Sequence, residues 1–152
     1  MAQGVDALTV QREVRVEARP ETVFEFFTNA DKMTRWMGQT AELEARPGGG
    51  FHVDINGRWI ASGEFLEVVA PSRVVFTWGW EEGSAVTPGS STVEVTLEPD
   101  GEATLVRLTH RDLPDEGARQ AHDHGWANYL GRLVVAAPGG DPGPDRIAEQ
   151  AM

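Results

Sequence analysis

The sequence predicts an α+β fold: a curved antiparallel sheet of about six to seven strands, two short helices after the first strand, and one long C-terminal helix. Three observations carry this reading. Between residues 41 and 110 the chain is a succession of short β-rich runs separated by turn residues, and tight turns cannot join parallel neighbours. Around residues 118–134 apolar residues instead recur every three or four positions, the mark of an amphipathic helix. In the run ending at Trp80, Phe76, Trp78 and Trp80 take every second position, so three large aromatics project from one strand face. That face needs cover, since each large side chain gains roughly 1.5–3 kcal/mol on burial.

From Leu8 to Ala18 apolar and polar residues alternate, with Val10, Val14 and Val16 on one side, and form the first strand. Pro20 and Glu21 open a short helix carrying Val23, Phe24 and Phe27 and ending about Thr28. Asn29 or Asp31 caps a second, with Met33, Trp36 and Met37, and Gly38 stops it. Residues 41–46 give a weakly alternating strand, closed by Pro47 and three glycines. These glycines are a turn rather than a phosphate loop, because no lysine follows and no helix begins there. Asn56-Gly57 marks a hairpin whose favoured turn has positive φ at both central residues. The strand from Trp59 to Val69 changes phase along its length, which places a β-bulge near Gly63. After the tryptophan strand, residues 82–90 read as a polar, mobile loop. Residues 91–97 and 103–110 are the last two strands, with a turn at residues 99–102 between them. The long helix ends at Pro138, giving a single domain over residues 1–138 and a flexible tail over 139–152, with a stub of helix at 146–150.

Bulk properties narrow the partners. Thirteen basic against 24 acidic residues leave a formal charge of −11, a surface that repels nucleic acid and anionic lipid. The chain has no cysteine, which removes disulfides, thiol nucleophiles and thiolate metal sites. It shows no signal peptide and no apolar run long enough to cross a bilayer, so a soluble, cytoplasmic protein is expected.

Six segments occur in an order that resembles a known family. They are Arg35-Trp36-Met37-Gly38, Arg46-Pro47-Gly48-Gly49, residues 63–68 (GEFLEV), residues 71–80 (PSRVVFTWGW), Leu108-Thr109-His110 and Gly125-Trp126. Together they resemble the bacterial branch of the activator of heat-shock-protein-90 ATPase homologue family, within the START-like, SRPBCC or polyketide cyclase superfamily, over roughly residues 10–136. The resemblance implies a helix-grip (Bet v 1-like) fold, in which the sheet wraps the terminal helix and encloses an apolar pocket. Members of that family usually carry a second aromatic after the tryptophan of the first segment. Met37 stands there in this chain and implies an altered pocket shape. Eukaryotic members stimulate a chaperone, which offers association with a chaperone as one reading, and homodimers are another expectation of the resemblance.

The candidate chemistry is thin. His122 and His124 lie two apart on a helix and face different directions, and no HExxH pattern is present, so no metal is expected. The serines show no nucleophile elbow. Glu64, Asp54 and Tyr129 are the side chains that could serve acid–base work on a carbonyl compound, yet none is assigned a catalytic role, and no cofactor is expected. The aromatic set is the stronger signal. Trp36, Phe51, Phe76, Trp78, Trp80, Trp126 and Tyr129 come from separate elements and should converge between sheet and helix, with His110 and His122 beside them. Gly125 would let the helix approach closely or leave a void. The expected function is binding of an apolar or aromatic small molecule as carrier, sensor or sequestering protein. A cyclase-like or isomerase-like enzyme is the alternative.

Overall fold

Alternating apolar residues draw seven segments into one sheet among the residues that the structure, a computed structural model, describes, 8–145. The strands are β1 (Val10–Val16), β2 (Thr40–Leu43), β3 (Gly50–Asp54), β4 (Ile60–Val69), β5 (Arg73–Trp80), β6 (Ser91–Asp100) and β7 (Ala103–Arg111). The helices are α1 (Pro20–Thr28), α2 (Ala30–Met33) and α3 (Glu116–Ala136). Spatial order is β1-β7-β6-β5-β4-β3-β2, and every pairing is antiparallel. Strands β2 to β7 follow one another as a meander, while β1 pairs β7 with Val10 opposite His110 and Val16 opposite Thr104. The first two strands therefore occupy opposite edges, and α1 and α2 carry the chain between them. This is the helix-grip arrangement.

Each helix is fixed by its ends. Pro20 begins α1 and Glu21 sits in its first turn. The Asn29 side chain accepts from Lys32 N at 3.1 Å and so caps α2, which ends at Met33; Trp36 and Met37 follow in turns. Asp115 caps α3 by accepting from Ala118 N at 2.8 Å. Helix α1 packs on β6 and β7, whereas α3 packs chiefly along β1. There Arg12, on the same strand face as Val10 and Val14, forms a two-pronged ion pair with Asp123 at 2.8 and 3.1 Å.

Several sequence expectations shift. In α1 the structure buries Phe26 with Val23 and Phe27 and leaves Phe24 partly exposed. Strand β2 is shorter than residues 41–46 and starts one residue earlier. The Asn56-Gly57 hairpin is present, but its loop spans residues 55–59 and only Gly57 has positive φ, at 85°. Asn56 Oδ1 instead accepts from the backbone N–H of Arg58 (3.1 Å) and Trp59 (2.9 Å), a side-chain turn that replaces the two-residue one. The bulge in β4 lies between Phe65 and Glu67, not at Gly63. Gly63 answers a different need: a Cβ there would overlap the Thr77 carbonyl, so the glycine permits close approach of two backbones. The helix stub expected at 146–150 lies outside the described residues.

The outward sheet face carries ion pairs such as Glu13–Arg107–Glu98 and Arg73–Glu94–Arg111. Exposed pairs of this kind contribute roughly 0–1 kcal/mol each. Stability resides on the other face, where one continuous apolar core runs from Val10 to Ala137. Phe51 and Phe76 stack there with centroids 4.2 Å apart, and Phe65 meets Phe51 edge-on at 5.7 Å.

Candidate functional site

Helix α3 presents two kinds of surface to the sheet. Trp126, Tyr129, Leu130 and Leu133 are buried in contact with the core, but Ala118, Ala121 and Gly125, one to two turns earlier, are too small to fill the space below them. A Cβ built on Gly125 meets nothing within 4 Å. The result is a cavity of about 270 Å³ between α3 and β5. Trp78 and Trp80 from β5 form its floor, and His122, Trp126 and Tyr129 from α3 its roof. Ile55 and Trp59 of the β3–β4 loop close one side with Met37, while Gly83 to Val86 close another. Asp115, Ala121, Gly83 and Ala85 are exposed wall residues, so the opening lies between the start of α3 and the β5–β6 loop.

Trp78 is central, with ring centroids 5.3 Å from Trp80 and 5.2 Å from Trp126. Trp59 meets Trp80 edge-on at 5.7 Å. Two imidazoles brace this cluster, and the donors around them fix their tautomers. Trp126 Nε1 can only donate, and does so to His110 Nδ1 at 3.0 Å. The His110 proton is therefore on Nε2, which donates to Ser91 Oγ at 2.8 Å; that hydroxyl donates onward to the Trp78 carbonyl at 2.7 Å. His122 Nδ1–H donates to the Ala118 carbonyl at 2.8 Å, leaving Nε2 to accept from Trp80 Nε1 at 3.1 Å. Both rings are neutral. Burial pushes the His110 pKa well below its ordinary value, with repulsion from His122 a second cause, and burial also lowers His122. The two rings meet edge-to-face at 5.0 Å, side by side rather than across the cavity.

The phenol of Tyr129 is held protonated, first by burial and then by the neighbouring Asp145 carboxylate. Asp145 accepts from Asn128 Nδ2 at 3.3 Å, and Gly143 O from Arg132 Nη1 at 2.9 Å, so the chain after α3 is laid back over the helix as far as residue 145.

Of the residues singled out from sequence, Trp78, Trp80, His122, Trp126 and Tyr129 line the cavity, and Trp36, Phe51, Phe76 and His110 do not. The last four pack behind the wall. Trp36 is fully buried, donates to the Phe26 carbonyl at 2.9 Å and meets Phe27 edge-on, which ties the α1–α2 segment into the core. Phe51 and Phe76 spend their faces on one another. His110 stands behind Trp126 with both nitrogens engaged. The wall residues missed from sequence are Ile55, Trp59, Asp115, Ala118, Ala121 and the Gly83–Val86 segment. The β5–β6 loop has the polar composition of a mobile tip, yet Val86 is buried and its carbonyl accepts from Trp80 N at 2.7 Å. The apolar pair Ala85-Val86 was its one visible signal.

Of the three acid–base candidates, Tyr129 lines the cavity and Glu64 and Asp54 do not. Glu64 is exposed on the outer sheet face, and Asp54 Oδ1 accepts from Gly57 N at 2.6 Å. Among the described residues, no group of three or more His, Asp or Glu side chains is placed to hold a metal ion, and no helix is long and apolar enough to cross a membrane.

The family model for "Activator of Hsp90 ATPase homolog 1-like protein" matches residues 17–137. The chain belongs to this family. An AHSA1-like protein from Rhizobium etli, solved in solution, is 47% identical, with 90% of this chain and 86% of that one covered and a TM-score of 0.72. An Hsp90 activator from Plasmodium falciparum is 27% identical over 84% of this chain and 94% of its own, with a TM-score of 0.72. DynU16, a protein in the dynemicin biosynthetic locus, is 25% identical over 89% of this chain and 49% of its own, with a TM-score of 0.76. No curated protein matches the chain.

Proposed function

We propose that this family member binds a small apolar or aromatic molecule between α3 and β5, as a carrier, sensor or sequestering protein. The supporting observation is the cavity itself. A mid-helix glycine costs about 1 kcal/mol against alanine, and Gly125 has no steric need for its missing side chain, so its effect is to keep space open beneath the helix. The walls around that space are indole and aliphatic surface from five segments of the chain, the usual composition of a small-molecule site. The likeness to a protein in a biosynthetic locus fits this reading. The cytoplasm is the location proposed.

The enzyme reading has less support, because the one phenol of the cavity keeps its proton and the nearest histidines are neutral and fully engaged. Stimulation of a chaperone rests on similarity to the Plasmodium Hsp90 activator.

Titration with the neutral fluorescent probe N-phenyl-1-naphthylamine tests the binding proposal. Saturable uptake of one probe per chain is expected, with affinity reduced at least tenfold in Gly125→Leu. Equal uptake by the wild type and that variant would remove the cavity from consideration.

A further inference from the structure

The chain beside the cavity mouth is pinned at both ends and almost untied between them. At its start Glu81 N donates to the Ile60 carbonyl at 3.0 Å, and the Glu81 carboxylate accepts from Ser62 Oγ. At its end Ser91 Oγ donates to the Trp78 carbonyl at 2.7 Å and accepts from His110 Nε2 at 2.8 Å. Among the described residues, one hydrogen bond joins residues 82–90 to the rest of the chain, from Trp80 N to the Val86 carbonyl at 2.7 Å. The bonds from Val86 N to Ser84 Oγ and from Ser90 to the Thr87 carbonyl stay within the segment.

Val86 is the single buried residue of this segment, and it both joins the apolar core and lines the cavity. Its neighbours Ala85 and Thr87 are exposed. One isopropyl group and one hydrogen bond therefore hold the segment down. Gly83 and Gly89, with φ of 77° and 83°, flank this latch in a backbone region that residues with a Cβ rarely enter. Gly79 is the bed on which the segment lies: a Cβ there would stand 1.9 Å from the Thr87 carbonyl oxygen, so the two backbones touch.

Building on the small-molecule reading above, we propose that residues 82–90 form a lid, with Val86 its latch and Gly83 and Gly89 its hinges. A ligand enters and leaves only while Val86 is out of its socket. Loop opening of this kind sets rates. A lid that must open in both directions leaves a signature: loosening it speeds association and dissociation by one common factor, whereas loss of a wall contact speeds dissociation alone.

Gly89→Ala and Gly79→Ala separate the two cases, because neither residue lines the cavity. The first sets a Cβ at positive φ with nothing within 4 Å, and the second pushes on the Thr87 carbonyl, so both strain the closed lid alone. Stopped-flow mixing of the full chain with N-phenyl-1-naphthylamine should show both rate constants raised at least threefold in each variant, with equilibrium affinity within twofold of wild type. Native-state hydrogen exchange needs no ligand: the Trp80 amide, bonded to the lid, should be at least tenfold less protected than the Phe76 amide, whose residue pairs with strands on both sides, and less protected still in Gly89→Ala. Should Gly79→Ala fail to fold, Gly89→Ala carries the kinetic test. Rate constants that stay unchanged, or a change in one of them only, overturn the lid and leave the binding site standing. Failure of the probe to bind wild type removes the small-molecule reading; equal protection of Trp80 and Phe76 would then overturn the lid as well, whereas weaker protection at Trp80 supports an opening segment on its own.

Discussion

Gly125→Leu is the most informative single change, because the structure predicts a gain of stability and a loss of binding together. Replacing a mid-helix glycine with leucine removes a helix penalty of about 0.8 kcal/mol. A helical leucine leans toward the preceding turn, which here presents Ala121 and Ala118. Nothing lies within 4 Å of the new Cβ, and the space beyond it is about 270 Å³, so the isobutyl group fits. At about 0.8 kcal/mol per buried carbon the added group contributes roughly 3 kcal/mol. Freezing its rotamers returns about 0.5–1 kcal/mol. Partial exposure of the new group at the cavity mouth, beside the exposed Ala121, returns about 1 kcal/mol more. The net is a stabilisation of about 2 kcal/mol, read as a shift in the urea midpoint without a change in slope. The melting temperature should rise by roughly 4–8 °C at the 2–4 °C per kcal/mol typical of this chain length. A variant destabilised by 1 kcal/mol or more would refute the reasoning, since overpacking has that signature and would mean the space is not there.

Two further predictions concern the frame around the cavity. His110 and His122 are neutral in the fold with pKa values pushed down, while unfolded imidazoles titrate near about 6.5. Below that pH the unfolded chain takes up protons that the folded one refuses, so stability is complete above about pH 7.5 and falls as pH drops through 6.5 toward 5, with a limiting slope of about 1.4 kcal/mol per unit for each histidine. Urea titrations at pH 7.5 and 5.5 should show the loss, and His122→Gln should lessen it; a flat wild-type profile would count against the neutral tautomers. Asp115→Ala removes the α3 cap and should cost about 1 kcal/mol by denaturant titration, while a change under a few tenths would mean the cap bond is not formed in solution.

How legible these features were depends on the range of the interaction. The aromatic face of β5 and the helical repeat of α3 are local patterns, and the fold and five of the residues that line the cavity followed from them. The same patterns announced that Trp36, Phe51 and Phe76 are buried, but not what they are buried against. A stacked partner 4.2 Å away and a ligand leave the same periodicity in a strand. Trp59 and Val86 enter the wall through loops whose paths are set by contacts distant in sequence, among them the bond from Trp80 N to the Val86 carbonyl. The β4 phase change was visible, yet glycine drew the bulge to Gly63 when its real role was to admit the Thr77 carbonyl. Gly125 was legible only as two options, and geometry chose the void.

Arg132 bears on where this domain can safely be cut. Its guanidinium donates to the Trp36 carbonyl and to Gly143 O, both at 2.9 Å, and thereby staples the α1–β2 connection and the post-helix segment to one point on α3. Similarity to the family stops at residue 137, which invites truncation just past the helix. A chain shortened there would forfeit Gly143 and Asp145, uncover the Tyr129 end of the cavity to solvent, and give a misleadingly leaky protein in any ligand screen.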